Sequence, residues 1–257
     1  MKNNQFFNDK SGDGVFKMIS DSAAEDVIMK RAKEMMWSVV EYKEMQMLYA
    51  CAIKEIETKL EVLNLEFKVK HKRNPISSIS SRLKSTDSLV EKMMRYGCTF
   101  SIESIETNIN DIAGVRVICS YVDDIYSIAE TLLSQDDVTL IAEKDYIKTP
   151  KPNGYRSLHL IVSVPVFLSQ SRKDVKVEVQ IRTIAMDYWA SLEHHMKYKK
   201  DIPNAERVSS ELRACADTMA ETDRRMLMLR RDIELAEDIP TEEEELIDRF
   251  TRIGLPI

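Results

Sequence analysis

Four short segments in the middle of the chain, each rich in valine, isoleucine or tyrosine, set the strongest constraint on its fold. They cover residues 112–120, 138–147, 155–164 and 175–183, and turn residues bound each of them. Runs of this length and composition are typical of β-strands. Because a segment of helical period, 123–133, lies between the first two, the pattern predicts an α/β domain.

Long segments of helical period flank these strands. Apolar residues between 22 and 69 recur at helical spacings, which predicts an N-terminal helical region that ends before Pro75. Further helices are expected at 184–198 and 205–235, with a short one after Pro240. We therefore divide the chain into a flexible leader (1–21), an N-terminal helical region (22–75), a core (76–200) and C-terminal helices (201–257).

The composition restricts the kinds of partner. The 257 residues carry a formal net charge of −6, and general affinity for nucleic acid needs clustered lysine and arginine, so we expect no DNA binding. No apolar run reaches the length of about 20 residues that a membrane span needs, and the first residues lack a signal-peptide pattern. The four cysteines are isolated, which fits neither a zinc site nor a disulfide framework. These features predict a cytoplasmic protein.

A row of cations surrounds a predicted helix start in the segment SRLKSTDSLVEK. Residues 85–87 can cap this helix and Gly97 can end it. Cations beside a helix start suit a triphosphate, whereas the alternative is an ordinary solvated face. The side chains on or beside the cationic face are Lys84, Ser88, Lys92 and Arg95.

A carboxylate precedes the first predicted strand. Asp111 lies directly before the strand, and Arg116 lies within it. Mg²⁺ is commonly held by one or two carboxylates together with substrate phosphates, so Asp111 is a candidate ligand. The alternative is that Asp111 only caps a turn.

The loop KTPKPNGY opens the third predicted strand. Its two prolines and its Asn-Gly pair favour a stiff turn. Strand alternation then places Tyr155, Ser157 and His159 on one face. An aromatic ring, a hydroxyl and an imidazole beside Lys148 and Lys151 suggest a nucleotide pocket in which Tyr155 stacks on a base. A structural histidine is the alternative.

The last predicted strand carries a second polar face. Glu178, Gln180 and Arg182 alternate with apolar residues. A charged face within a sheet is costly unless it lines a polar site. The alternative is a surface-facing edge strand, but the predicted helix at 184–198 follows at once and would cover it.

Several common catalytic patterns are absent from the sequence. It contains no HExxH pair, Walker A loop or GxGxxG segment, and no GxSxG elbow. His194 and His195 are adjacent and would point to different sides of a helix. Phosphate binding here therefore depends on side chains rather than on a glycine-rich cradle.

Five ordered blocks resemble the synthetase domain of the RelA/SpoT family, in particular its small single-domain members. They are SRLKSTDSLVEK, NINDIAGVRVIC, KDYIKTPKPNGYRSLH, VEVQIRT and MDYWASLEH. The resemblance implies a nucleotidyltransferase-like mixed β-sheet flanked by helices, with helical extensions at both ends. It also implies transfer of pyrophosphate from ATP to the 3′-OH of GTP or GDP, with GMP a further candidate, giving AMP and pppGpp or ppGpp.

The resemblance also implies roles for individual residues. Glu178 would be the general base, and it would bind Mg²⁺ together with Asp111. For ATP it implies adenine binding between Arg82 and Arg116 and phosphate binding by Lys84, Ser88, Lys92 and Arg95. For the guanine nucleotide it implies Lys148, Lys151, Asn153, Tyr155 and His159. Support of the site would come from Gln180, Arg182 and Glu193.

Two departures from the long family members bear on function. Ala142 stands where they carry arginine, which leaves the choice between GTP and GDP open. The long enzymes also have a His-Asp metal hydrolase domain, which a chain with four histidines and no HD pair cannot house. We therefore expect synthesis without hydrolysis.

The resemblance implies a homotetramer formed through the terminal helices, and binding of an allosteric alarmone or single-stranded RNA. Two other hypotheses remain open. One is a non-catalytic nucleotide- or RNA-binding regulator on the same fold. The other is a helical adaptor with an incidental sheet, which leaves the polar strand faces unexplained.

Overall fold

The computed structural model describes residues 13–70, 73–99, 101–197, 205–236 and 249. The chain divides into two compact units, Met1–Met47 and Leu48–Ile257, and the division falls within helix α1 (Asp13–Lys70). Because α1 begins at Asp13, residues 13–21 are helical, and the predicted leader is wrong there. The short helix expected after Pro240 falls outside the described residues, apart from position 249.

The described elements after α1 are a mixture of strands and helices. In chain order they are β1 (Ile76–Leu83), α2 (Thr86–Tyr96), α3 (Ile102–Asn108), β2 (Ala113–Cys119), α4 (Val122–Leu133), β3 (Thr139–Asp145), β4 (Leu158–Phe167), β5 (Arg172–Thr183), α5 (Ile184–Lys197) and α6 (Ala205–Ala236). None of the described helices is both long and apolar enough to cross a lipid bilayer.

The five strands form one mixed sheet with the order β1-β2-β5-β4-β3. Strands β2 and β5 are parallel, and the other neighbours are antiparallel. This confirms the predicted mixed sheet flanked by helices. Strand β5 is central, so the alternative of an edge strand for its polar face is wrong.

The core lies where the central strands meet the helices. Val117, Leu160, Val177 and Val179 are fully buried, and α4 and α5 pack against β2 and β5. Apolar side chains therefore line the helix-facing side of the central strands. The intervening positions carry polar groups, as the period of two in a strand requires.

Strand β1 was not predicted. Half of its sequence, ISSISSRL, is serine, and Ile76 alone among its residues is buried. Pairing with β2 rather than local propensity forms this strand, and the pairing sets Arg82 opposite Gly114. The prediction for β4 was early by three residues, because residues 155–157 belong to the loop before it.

Helix α2 has the predicted ends. The Ser85 side chain accepts a hydrogen bond from the Ser88 backbone N–H, and Gly97 ends the helix with φ of 66°. Leu89 and Met93 are buried, which fixes this helix against the core. Its first turn thereby lies directly after Lys84, at the end of β1.

We expect Gly97→Ala to lower the free energy of unfolding by about 1 kcal/mol, because an L side chain is unfavourable in the left-handed region. A Cβ atom at this position would meet nothing within 4 Å, so the cost is conformational rather than steric. Urea denaturation measures the change. Gly97→Asn is the control and should cost less, since asparagine tolerates this region. Equal stability of the alanine variant and the native chain would contradict the prediction.

Candidate active site

A row of polar side chains lies along the central strand β5. Glu178, Gln180 and Arg182 alternate with the buried residues Val179 and Ile181. Gln180 Nε2 donates to Glu178 Oε2 at 2.7 Å, and Arg182 Nη2 donates to Gln180 Oε1 at 2.7 Å. Arg182 is only 4% exposed. The three side chains therefore form a continuous line of hydrogen bonds along the strand, and buried polar groups need such bonds.

Tyr155 and His159 extend this row to the other oxygen of Glu178. Arg182 Nη2 donates to Tyr155 OH at 2.6 Å, which lies 2.7 Å from His159 Nε2, and His159 Nδ1 lies 3.0 Å from Glu178 Oε1. A guanidinium can only donate, so the tyrosine hydroxyl accepts from Arg182. An ionised carboxylate can only accept, so His159 donates from Nδ1 to Glu178.

These contacts determine the charge of Glu178. Burial, together with the negative charge of Asp111, acts to raise its pKa. The hydrogen bonds from His159 and Gln180 outweigh both and hold the pKa of Glu178 below its ordinary value. The site therefore contains a largely buried carboxylate that is ionised at neutral pH.

Asp187, in the first turn of α5, joins two arginines and was not assigned a role from the sequence. Its Oδ1 accepts from Arg182 Nη1 at 3.0 Å and lies 3.2 Å from Arg116 Nη1. Burial and the like charge of Arg182 lower the pKa of Arg116, and Asp187 opposes that shift. No signal in the sequence distinguishes this carboxylate, because the two arginines that it joins lie on two different strands.

Two lysines converge on Asp111, just before β2. Lys84 Nζ donates to Oδ2 at 3.0 Å, and Lys92 Nζ forms an ion pair with Oδ1 at 2.8 Å. Burial would raise the pKa of Asp111, but the two ammonium groups outweigh burial and hold that pKa below its ordinary value. The predicted cationic face thus meets the predicted carboxylate.

Arg82 and Arg116 line one cavity of about 150 Å³ on the open face of β1, β2 and β5. Gly114 forms part of its floor, directly opposite Glu178 in the parallel ladder. Gln180 lines the same cavity. The site therefore has a basic recess beside the carboxylate of Glu178.

The loop between β3 and β4 carries the second basic group. Lys151 Nζ lies 4.5 Å from the ring centroid of Tyr146 and 4.7 Å from that of Tyr155. Lys148 is largely exposed and pairs with Asp145 at 3.2 Å. These contacts place Lys151 beside the tyrosine that hydrogen-bonds to His159.

The loop is also tied to α5. Asn153 Nδ2 donates to Glu193 Oε1 at 3.0 Å, and its own Oδ1 accepts from the Tyr155 backbone N–H. Glu193 is 9% exposed. Glu193 thus holds the loop, and the role in supporting the site that the resemblance implies for it stays a prediction.

Two residues that were predicted to bind the phosphates of ATP lie at the margin of the site. Ser88 is exposed, and its hydroxyl accepts a hydrogen bond from Ser85 at 3.0 Å. Arg95 is also exposed and packs over the ring of Tyr96. Their assignment to ATP phosphates therefore stays a prediction.

Comparison with known proteins places this geometry in a family. A family model described as the region found in RelA / SpoT proteins matches residues 81–203. GTP pyrophosphokinase YwaC of Bacillus subtilis (strain 168) is 42% identical over 194 residues, covering 76% of this chain and 92% of the relative. The chain belongs to the RelA/SpoT family. The resemblance seen in the sequence is thereby confirmed.

Solved structures of RelA/SpoT family members share the fold. Small alarmone synthetase 2 from Bacillus subtilis has a TM-score of 0.68 and 43% identity, over 75% of this chain and 99% of that one. Small alarmone synthetase 1 from the same organism, bound to its product pppGpp, has a TM-score of 0.70 and 33% identity, over 75% and 98%. The mixed sheet with flanking helices is therefore the fold of this group.

The carboxylates of this RelA/SpoT member fit a magnesium ion that substrate oxygens help to hold. Asp111 Oδ1 is buried and accepts no hydrogen bond of good geometry, although Lys92 pairs with it. The negative charge of Asp111 also acts to raise the pKa of Glu178. Within the described ranges no three acidic, histidine or cysteine side chains converge on a common point. Two carboxylates completed by phosphate oxygens are a usual arrangement for Mg²⁺.

We expect Asp187→Asn to lower the free energy of unfolding by about 2 kcal/mol, because it leaves two guanidinium groups without their shared carboxylate. Chemical denaturation measures the loss. Asp174→Asn is the matched control, since Asp174 pairs with Arg172 at the exposed start of β5 and both side chains are more than half exposed. Similar losses in the two variants would contradict the argument.

The stability that Glu178 contributes should depend on pH. Its pKa is lower in the folded chain than the ordinary value of 4.5. The contribution is therefore present above pH 4.5 and is lost as pH falls through the folded pKa. We expect the stability gap between the native chain and Glu178→Gln to be largest at neutral pH and to shrink in acid. Glu143→Gln on the exposed strand β3 should show no such trend, and a gap independent of pH would contradict the prediction.

Proposed function

We propose that this chain is a GTP pyrophosphokinase that transfers the β,γ-pyrophosphate of ATP to the 3′-OH of GTP or GDP. The products are AMP and pppGpp or ppGpp. The observation that carries the proposal is the ionised, buried carboxylate of Glu178, which lies between a basic recess and a basic loop. The similarity to a synthetase bound to pppGpp supports the same product class.

Glu178 is the general base in this proposal. A ribose hydroxyl is a weak nucleophile, so a positioned carboxylate takes its proton as the new bond forms. The 3′-oxygen bonds to the β-phosphorus of ATP, and the bond from that phosphorus to the α,β-bridging oxygen breaks. AMP leaves with the electron pair, and the proton goes to Glu178. His159 and Gln180 keep the carboxylate oriented and ionised for this step.

The donor side uses the cations around Asp111. Lys84 and Lys92 offset the negative charge of the ATP phosphates, and Ser88 and Arg95 contribute from the margin. Arg82 and Arg116 hold the adenine in the recess that they line. Mg²⁺, held by Asp111 and Glu178, supplies further positive charge to the phosphate oxygens when it is bound.

The acceptor side uses the loop before β4. Tyr155 stacks on guanine, while Lys148, Lys151, Asn153 and His159 surround the nucleotide. The support is that Lys151, Tyr155 and His159 already form one cluster next to Glu178. The preference among GTP, GDP and GMP stays open, because Ala142 replaces the arginine of the long enzymes.

The remaining expectations from the sequence also stand as proposals. Synthesis without hydrolysis agrees with the similarity to small synthetases. A homotetramer agrees with the exposed apolar side chains along α6, where Met228, Leu229 and Ile233 are each more than half exposed. Binding of an alarmone effector or single-stranded RNA, and the cytoplasmic location, stay predictions.

Purified protein with ATP, Mg²⁺ and each guanine nucleotide in turn tests the function by chromatography of the products. We expect Glu178→Gln to reduce product formation by about 10²–10⁴-fold, the usual contribution of a general base, while ATP binding is retained. Glu143→Gln is the matched control and should keep full activity.

Two results would count against this proposal. A native chain that yields no 3′-pyrophosphorylated product with any acceptor would overturn the function. Salt-dependent RNA binding without turnover would then favour the non-catalytic regulator. Activity of Glu178→Gln within tenfold of the native value would instead overturn only the assignment of the base.

A further inference from the structure

The loop that we assign to the acceptor nucleotide rests on α6, outside the segment that the family model matches. We name residues 148–156 the acceptor loop. We propose that α6 positions this loop, and that Arg213 and Ala216 thereby set the affinity for the guanine nucleotide without touching it. This inference rests on the proposed function, and specifically on the assignment of the loop to the acceptor.

The first contact is a hydrogen bond from α6 to the backbone of the loop. Arg213 Nη1 donates to the Pro152 carbonyl at 2.6 Å. Both residues lie at the surface, and the guanidinium gives this carbonyl a protein donor in addition to solvent. Since a charged donor makes the stronger kind of hydrogen bond, this contact fixes the tip of the loop.

The second contact is a close approach of two backbones. Gly154 has φ of +92°, and a Cβ atom built on it would lie 2.6 Å from the Cβ of Ala216. Ala216 is only 4% exposed. The pair therefore requires a glycine on the loop and a small residue on the helix, and a longer side chain at 216 would push the loop away.

The third contact returns from the loop to the helix. Arg156 Nη1 donates to the Gly154 carbonyl at 3.1 Å and to the Ala216 carbonyl at 3.2 Å. Its Nη2 donates to Asp217 Oδ1 at 3.0 Å. The Arg156 guanidinium thus binds both the loop and one turn of α6 and holds the two together.

Helix α6 is itself fixed to the core on either side of these contacts. Trp189 Nε1 of α5 donates to the Leu212 carbonyl at 2.8 Å, and Thr183 Oγ1 at the end of β5 donates to Asp223 Oδ2 at 2.6 Å. The helix therefore serves as a rigid support rather than as a passive cover.

The geometry indicates which substrate should bind more weakly when the support from α6 is lost. Pro152 and Gly154 flank Asn153, whose side-chain oxygen accepts a hydrogen bond from the Tyr155 backbone N–H. The Tyr155 hydroxyl in turn lies 2.7 Å from His159 Nε2. Lys84, Lys92 and Asp111 form a separate cluster that α6 does not join in the contacts above. Loss of the support should therefore weaken acceptor binding and leave ATP binding unchanged.

The decisive experiment measures steady-state kinetics of Arg213→Ala with each substrate varied separately. We expect the KM for the guanine nucleotide to rise about fivefold to tenfold, as for loss of one charged hydrogen bond, and the KM for ATP to stay within about twofold, a change too small for loss of one such contact. Arg213→Lys should recover part of the difference. Arg225→Ala is the control, because Arg225 lies on the same helix, is exposed and pairs with Glu221.

A second measurement tests the support without turnover. The Gly154 backbone N–H donates to the Lys151 carbonyl at 2.8 Å. Hydrogen exchange at this amide should be faster in Arg213→Ala and in Ala216→Leu than in the native chain or Arg225→Ala, with melting temperatures confirming that each variant is folded. Unchanged exchange, or equal rises in both KM values, would overturn the inference. An inactive native chain would overturn the proposed function, while the exchange result would still decide whether α6 supports the loop.

Discussion

The central strand carries three polar side chains in a sheet whose other face is the apolar core, and the surrounding structure follows from the need to satisfy them. Glu178, Gln180 and Arg182 bond to one another along the strand, but each has polar atoms left over. Tyr155 and His159 complete one side, and Asp187 completes the other. An unpaired charge at such a position would cost several kcal/mol, so the loop and the helix that supply these partners are as necessary to the fold as to the chemistry.

The main cations of the site already have carboxylate partners before any substrate enters. Asp111 is paired with Lys84 and Lys92, and Asp187 with Arg116 and Arg182. If phosphate oxygens bound Lys84 and Lys92, these lysines would exchange the carboxylate of Asp111 for a phosphate. ATP binding therefore does not require an unpaired ammonium group to be buried first. The same exchange would free Asp111 to hold the magnesium ion of the proposed mechanism. Preorganised charge of this kind is a common source of transition-state stabilisation.

Much of this arrangement was predictable because it depends on local patterns. The capped start of α2 and the alternation in β5 follow from periods and turn residues. Tyr155 and His159 do lie together, but Tyr155 reaches His159 from the loop before β4 and not through strand alternation. Strand β1 was missed because its serines give no apolar alternation and its pairing with β2 is a tertiary effect. The role of Asp187 was missed because a single carboxylate in a helix reveals nothing about two arginines contributed by other strands. The contacts of Arg213 were equally invisible, since they join segments far apart in the chain.

The parallel pairing of β2 with β5 has a consequence for how activity arises during folding. Asp111 stands before one strand and Glu178 lies opposite Gly114 on the other, so a single ladder brings the two carboxylates together. Two parallel neighbours need a long crossover, and here β3 and β4 are part of it. Helix α2, which carries Lys92, can form from local contacts, whereas this ladder must first overcome the entropy of closing the crossover. A partly folded chain can thus display Lys92 before Glu178 is in place, and under the proposed mechanism turnover becomes a late marker of the completed fold.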